Sequence, residues 1–239
     1  MKKIFLIVFL IVLPLVIIAD EAEDILALAL EKQNYQTMQA DVVVETTMEG
    51  SPQKMVQEYK YIVKKPDKVK MDISKPFKQT MVMSEGIVSI KMPDGKVMKQ
   101  KTSELPGMAG VNIQQLQTME GMKEKYEIAK FKEYNKDGKT YVEIKLTPKG
   151  KGILPWIIMI IEKNTGKMTG SRVMDEKGDV VMEGEHERID VIEGVYVPVE
   201  IKSTSKTDIG GKEIKMTTRM IYKNVKINEN IKEKEFEIR

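Results

Sequence analysis

Met38-Gln39-Ala40-Asp41-Val42-Val43-Val44-Glu45-Thr46-Thr47-Met48 decides the fold class, because apolar and polar residues alternate along it with a period of two. Met38, Ala40, Val42, Val44 and Met48 share one side, and Gln39, Asp41, Val43, Glu45 and Thr47 share the other. A half-buried strand carries such a pattern, and one wet face marks an antiparallel sheet. Working outward, Met55, Tyr59, Tyr61 and Val63 repeat it against Glu58 and Lys60, and Val69, Met71 and Ile73 repeat it against Lys68, Lys70 and Asp72. Turn residues separate further runs: Pro93-Asp94-Gly95, Asn135 to Gly138, Asn164 to Gly166, Glu176 to Gly178 and Gly210-Gly211. Gly and Asn supply the positive φ that tight hairpins require. About ten or eleven strands follow, few of them separated by helix.

Two helices interrupt the strands. Asp20 to Gln33 is acidic in its first turn, as the helix dipole favours. Ile25, Leu28 and Ala29, widened by Leu26 and Leu30, form a stripe to lay on a sheet, and Asn34 ends the helix. Val111 to Lys123 is the second helix, preceded by a Pro- and Gly-bearing loop from Glu104 to Gly110. Trp156 to Ile161 is apolar at every position, so this strand must be covered on both faces, one of them by a helix. With no internal repeat or low-complexity linker, residues 20–239 read as one mainly β domain.

The first nineteen residues read as a secretory signal. Lys2 and Lys3 precede the uncharged apolar run Ile4 to Ile18, and Ile17 and Ala19 occupy the −3 and −1 positions of a cleavage site before Asp20. A helix of that run spans about 22 Å against a hydrocarbon core of about 30 Å, and Pro14 disturbs it. An uncleaved inner-membrane anchor is the alternative.

Composition excludes several classes. The formal charge is +3 and both signs are interleaved, so the basic footprint of a nucleic-acid binder is absent. There is no cysteine, hence no disulfide, thiolate nucleophile, cysteine metal site or cysteine-borne lipid anchor. His186 is the one histidine; its alternation neighbours Gly184 and Arg188 are not metal ligands, and it reads as an ordinary strand residue. The carboxylates, such as Asp94, Asp137 and Asp175, sit mostly beside turns, and neither a phosphate loop nor a nucleophile elbow is present. No catalytic residue, metal or cofactor is expected, and the chain reads as a binder. The 18 methionines fall mostly among apolar strand neighbours. They either fill the core or line a cavity that re-packs around flexible hydrocarbon.

Several of these segments together resemble the LolA-type family of periplasmic lipoprotein carriers. The opening helix runs into Tyr35 and Met38 to Asp41; Tyr61 to Met71 carries a strand, a basic-Pro turn and a strand; Lys75-Pro76, Gln79, Met81 to Gly86 and Ile87 to Pro93 continue the likeness; Val225 to Ile238, with Asn228 and Phe236, resembles the closing stretch. The resemblance implies a curved, incomplete antiparallel β-barrel with two or three helices covering an apolar cavity. It further implies a monomeric periplasmic carrier that shelters acyl chains of lipoproteins or other lipids, between a membrane-bound donor and acceptor. On that reading Met55, Tyr59, Tyr61, Met71, Ile90 and Trp156 line the cavity. Lys65 stands where the family has an Arg tied to lid movement, and Val69 stands where it has an aromatic residue. Alternatives are a regulatory envelope sensor of the same fold, which binds a protein partner, and a hydrolase.

Overall fold

A computed structural model describes residues 21–102, 118–150, 155–209 and 212–238. The signal segment 1–19, the loop Glu104 to Gly110, the stretch 111–117 and the Gly210-Gly211 turn lie outside them.

Thirteen strands form one antiparallel sheet: β1 (Thr37–Met48), β2 (Lys54–Lys64), β3 (Lys68–Lys75), β4 (Gln79–Ser84), β5 (Ile87–Lys91), β6 (Val97–Lys101), β7 (Tyr126–Lys136), β8 (Lys139–Pro148), β9 (Trp156–Glu162), β10 (Lys167–Met174), β11 (Val180–Ile192), β12 (Val195–Ile209) and β13 (Lys212–Ile227). Their order is β6-β5-β4-β3-β2-β1-β13-β12-β11-β10-β9-β8-β7. Each half is a meander, the two halves join only where β1 pairs with β13, and β6 and β7 are the unjoined edges. The sheet is therefore open, and it has more strands than the ten or eleven expected. The hairpin at Glu193-Gly194, which no conventional turn residue pair marks, accounts for part of the difference. Glu85-Gly86 and Glu193-Gly194 turn on successive positive φ angles, 53° and 73°, then 48° and 79°. Glu is not among the residues that announce such a turn, whereas Asp137-Gly138, built the same way, was legible.

Among the described residues two α-helices accompany the sheet. Helix α1 covers residues 21–32 and closes with Asn34 N–H donating to the Glu31 carbonyl at 3.1 Å. Helix α2 (Met119–Lys125) overlaps the end of the expected Val111 to Lys123 element, whose residues 111–117 lie outside the described ones; Thr118 precedes it, its hydroxyl accepting from the Gly121 amide at 3.1 Å. Ile25, Leu26 and Ala29 of α1 and Met122 of α2 pack with Tyr126, Val142, Ile144, Leu146 and Ile161 in the main core. Ile157 and Met159 join from the side, so the apolar run at β9 does lie beneath a helix. Glu21 anchors the start of α1, ion-paired at 2.6 Å to both Lys130 and Lys163, and those ammonium groups hold its carboxyl below the usual range.

The side of the sheet bearing α1 is its front. Strand register carries this face across both halves: Ile144, Met159, Ser171, Gly184, Ser203, Thr218, Thr46 and Met55 are successive cross-strand partners. The back is closed over β2 and β4 by the C-terminal segment, where Ile231 and Phe236 pack with Ile62 and Val82. Glu233 of the same segment pairs with Lys64 and Lys68.

Candidate functional site

The front of the β1–β6 half is an apolar surface built by register. Ala40, Tyr61, Met71, Met81, Ile90 and Met98 are direct partners across six strands, so their side chains form one row. Beside it, Tyr222, Val42, Tyr59 and Ile73 form a second row. Direct cross-strand neighbours lie close enough on one face for each pair to touch. Tyr59, Ala40, Val42 and Ile73 are buried together with Tyr61, Met71, Met220 and Tyr222 against them.

Three tyrosines stiffen the middle of this surface. Tyr61 sits edge-on to Tyr59 (centroids 6.3 Å, 75°) and to Tyr222 (6.3 Å, 66°). The Tyr222 hydroxyl donates to the Met220 sulfur at 2.8 Å. Burial, reinforced by the neighbouring phenols, pushes Tyr61 and Tyr222 well above the usual tyrosine range. The cluster therefore stays neutral and amphipathic under any ordinary condition. Methionine supplies the rest: Met55, Met71, Met81, Met83, Met98, Met216 and Met220 all point to the front, around the tyrosines. Such side chains adapt to irregular guests.

Of the residues singled out in the sequence, Tyr59, Tyr61 and Met71 come together in one packed cluster, with Ile90 further along the Tyr61 row. Met55 lies on the same face toward the strand end, 54% exposed. Trp156 stands apart. Its neighbour Ile157 packs toward the helices, so Trp156 projects to the back, where the Lys145 ammonium lies 4.4 Å above its ring. Tyr35, Met81, Met220 and Tyr222 were not singled out. The alternation of Met216, Thr218, Met220 and Tyr222 carried the signal, diluted by two threonines and by Arg219 between them.

Lys65 and Val69 flank the β2–β3 turn. Lys65 reaches α1's exit, its ammonium 4.7 Å over the Tyr35 ring and 3.4 Å from the Asn34 side-chain oxygen, and burial lowers its pKa. Val69 lies opposite Val63 and Met83, on the front. His186 donates through Nδ1 to the Met168 carbonyl at 2.8 Å, and burial holds its pKa below the usual value. A carbonyl can only accept, so the neutral ring carries its proton on Nδ1. Among the described residues no group of three or more His, Asp or Glu gathers as a metal site, and no helix is long and apolar enough to cross a membrane.

No family model and no curated relative matches the sequence. Solved structures do match in fold. A LolA superfamily protein from Nitrosomonas europaea superposes with a TM-score of 0.66 at 16% identity, over 91% of this chain and 97% of that one. A DUF1329 family protein from Desulfovibrio piger gives 0.70 at 15% identity, over 92% and 97%. A domain from Vibrio parahaemolyticus, designated an outer membrane lipoprotein-sorting protein, gives 0.68 at 11% identity, over 91% and 97%. The chain has the LolA-like fold, an open antiparallel sheet carrying helices on one face.

Proposed function

We propose that the protein is an exported carrier that shelters the acyl chains of lipoproteins, or of other lipids, against the front of its β1–β6 half. The observation that carries this reading is the unbroken apolar row from Ala40 through Tyr61, Met71, Met81 and Ile90 to Met98, which runs across the strands. Each CH₂ buried on it contributes roughly 0.8 kcal/mol, so a single chain would be held firmly yet released by a competing apolar surface. The LolA-like fold and the designation of the Vibrio structure support the same class of cargo. The carrier reading needs no catalytic group.

In this scheme Lys65 latches the exit of α1 to the β2–β3 turn through Tyr35, and Val69 beside it shapes the entry. Residues 1–19 direct export to the periplasm and are removed after Ala19, and cargo passes between a membrane-bound donor and acceptor. Native mass spectrometry of the full chain, expressed with its own leader and purified from the periplasm, tests these points together. The expected spectrum shows a mass beginning at Asp20 and adducts of lipid or acyl-peptide mass, lost in Tyr61→Asp and Met71→Asp. A clean apo mass that takes up neither added lipopeptide nor diacyl lipid would overturn the carrier.

A further inference from the structure

The back of the β7–β10 half carries a second surface, distinct from the apolar front in place and chemistry. Three of its aromatic side chains are met by lysines. Lys145 lies 4.4 Å over the Trp156 ring and 5.9 Å from the Phe131 ring centre, and Lys132 lies 5.2 Å over Tyr134, which stacks on Tyr141 at 5.6 Å. Phe131 is 56% exposed, and a register shift between Lys130 and Lys132 sets it at a bulge of edge strand β7. An exposed Phe on an edge bulge has no packing role to explain it.

The charge on this surface is net positive, although Glu127, opposite Thr147, adds an exposed carboxylate to it. Its two buried carboxylates are already matched: Glu143 with Arg172 at 2.6 Å and Glu162 with Lys139 at 2.9 Å. Lys132, Lys136 and Lys145 make no ion pair with a carboxylate among the described residues. Aromatic rings interleaved with unpaired lysines could serve a single-stranded nucleic acid or a membrane surface. Base stacking needs a free ring face. Here Lys145 covers Trp156, and Tyr134 is sandwiched between Lys132 and Tyr141. The groups left open are the Phe131 side chain, 56% exposed, and the ammonium groups. Those are the groups that settle at the headgroup level of a bilayer, where Trp and Tyr tolerate half-wet burial and lysine meets acidic lipid.

We infer that this back surface, centred on Phe131, Lys145 and Trp156, docks the protein onto the face of a bilayer rich in anionic lipid. The inference does not depend on the carrier reading, since it uses the opposite side of the sheet. Docked this way, the protein would keep its apolar front turned away from the membrane.

Trp156 is the single tryptophan of the chain, so its emission reports on this surface alone. The experiment titrates the full-length mature protein with phosphatidylglycerol vesicles, and separately with phosphatidylcholine vesicles. The expected result is a blue shift and quenching by brominated acyl chains with phosphatidylglycerol only, reversed by high salt. Lys132→Glu and Lys145→Glu are each expected to weaken partitioning about tenfold. Phe131→Ser should weaken it with the salt dependence preserved. Tyr61→Asp should bind vesicles like the parent, which separates failure here from failure of the carrier. Three outcomes overturn the inference: flotation with vesicles without change in Trp156 emission, equal binding to both lipids, or an emission change with polyglutamate as large as with vesicles and no bromine quenching.

Discussion

Tyr126 shows at the scale of one residue where this core is imperfect. It is 1% exposed beneath α1 and α2, and its hydroxyl finds no hydrogen-bond partner among the described residues. A buried hydroxyl without a partner keeps its desolvation cost, and removing it leaves the ring packing intact. Tyr126→Phe is expected to raise stability by about 1 kcal/mol, read as a higher denaturant midpoint with an unchanged slope. A lower midpoint would reveal a partner for the hydroxyl. Single residues also show how far period-two reading reaches. It placed Tyr59, Tyr61 and Met71 on one face because Glu58, Lys60, Lys70 and Asp72 mark the other. At Trp156 to Ile161 no polar residue breaks the tie. Alternation then says that Trp156 and Ile157 diverge, but not which of them meets the helices. Only register against β8 and β10 decides it, and that is tertiary information.

Among the elements, the C-terminal segment is attached by both charge and apolar packing. Glu233 pairs with both Lys64 and Lys68, and these hydrogen-bonded ammonium groups lower its pKa from 4.5 to about 2. A carboxyl with a depressed folded-state pKa stabilises above its unfolded value, and that contribution is lost as pH falls through the folded one. Below pH 4.5 the grip of this segment therefore weakens progressively, and it is gone near pH 2. Ile231 and Phe236 remain as an apolar hold on Ile62 and Val82. Hydrogen exchange of the 228–238 backbone should accelerate over that window relative to the sheet, more at low salt than at high. Glu233→Gln should exchange at pH 6 as the parent does at the acid end, and exchange that ignores both pH and the substitution would show that apolar contacts alone hold the segment. Element boundaries were legible where turn chemistry was conventional and missed at Glu193, where Glu took a positive φ. Strand β11 was faint for a related reason: most of its residues are exposed on either face, so hydrophobicity hardly alternates along it.

In the whole molecule one sheet carries four apolar clusters of described residues, among them a helix-covered core over β7–β10 and the tyrosine–methionine surface over β1–β6, and the two halves of the sheet join at the β1–β13 seam. That seam has few side-chain bonds of its own. Thr46 and Thr218 hydroxyls lie 3.2 Å apart, and Asn224 donates to Asp41 at 2.8 Å. Cooperation between the halves must then rest on the backbone ladder and on seam residues such as Val42, 1% exposed, whose partners are Tyr222 on one side and Tyr59 on the other. Val42→Ala is expected to cost about 2 kcal/mol, as for other buried apolar truncations. Where that loss is felt is the informative part. Trp156 lies in the opposite half and is not part of this cluster, so in a two-state molecule its unfolding midpoint must fall together with the loss of hydrogen-exchange protection in β2 and β3. Coincident shifts in both signals would mean that the seam welds the halves into one folding unit. A β2–β3 transition that moves while Trp156 stays fixed would mean that the β1–β6 half can open on a helix-covered frame that remains folded. The second result would give a carrier its route for loading cargo, since the β1–β6 surface could then loosen without loss of the main core.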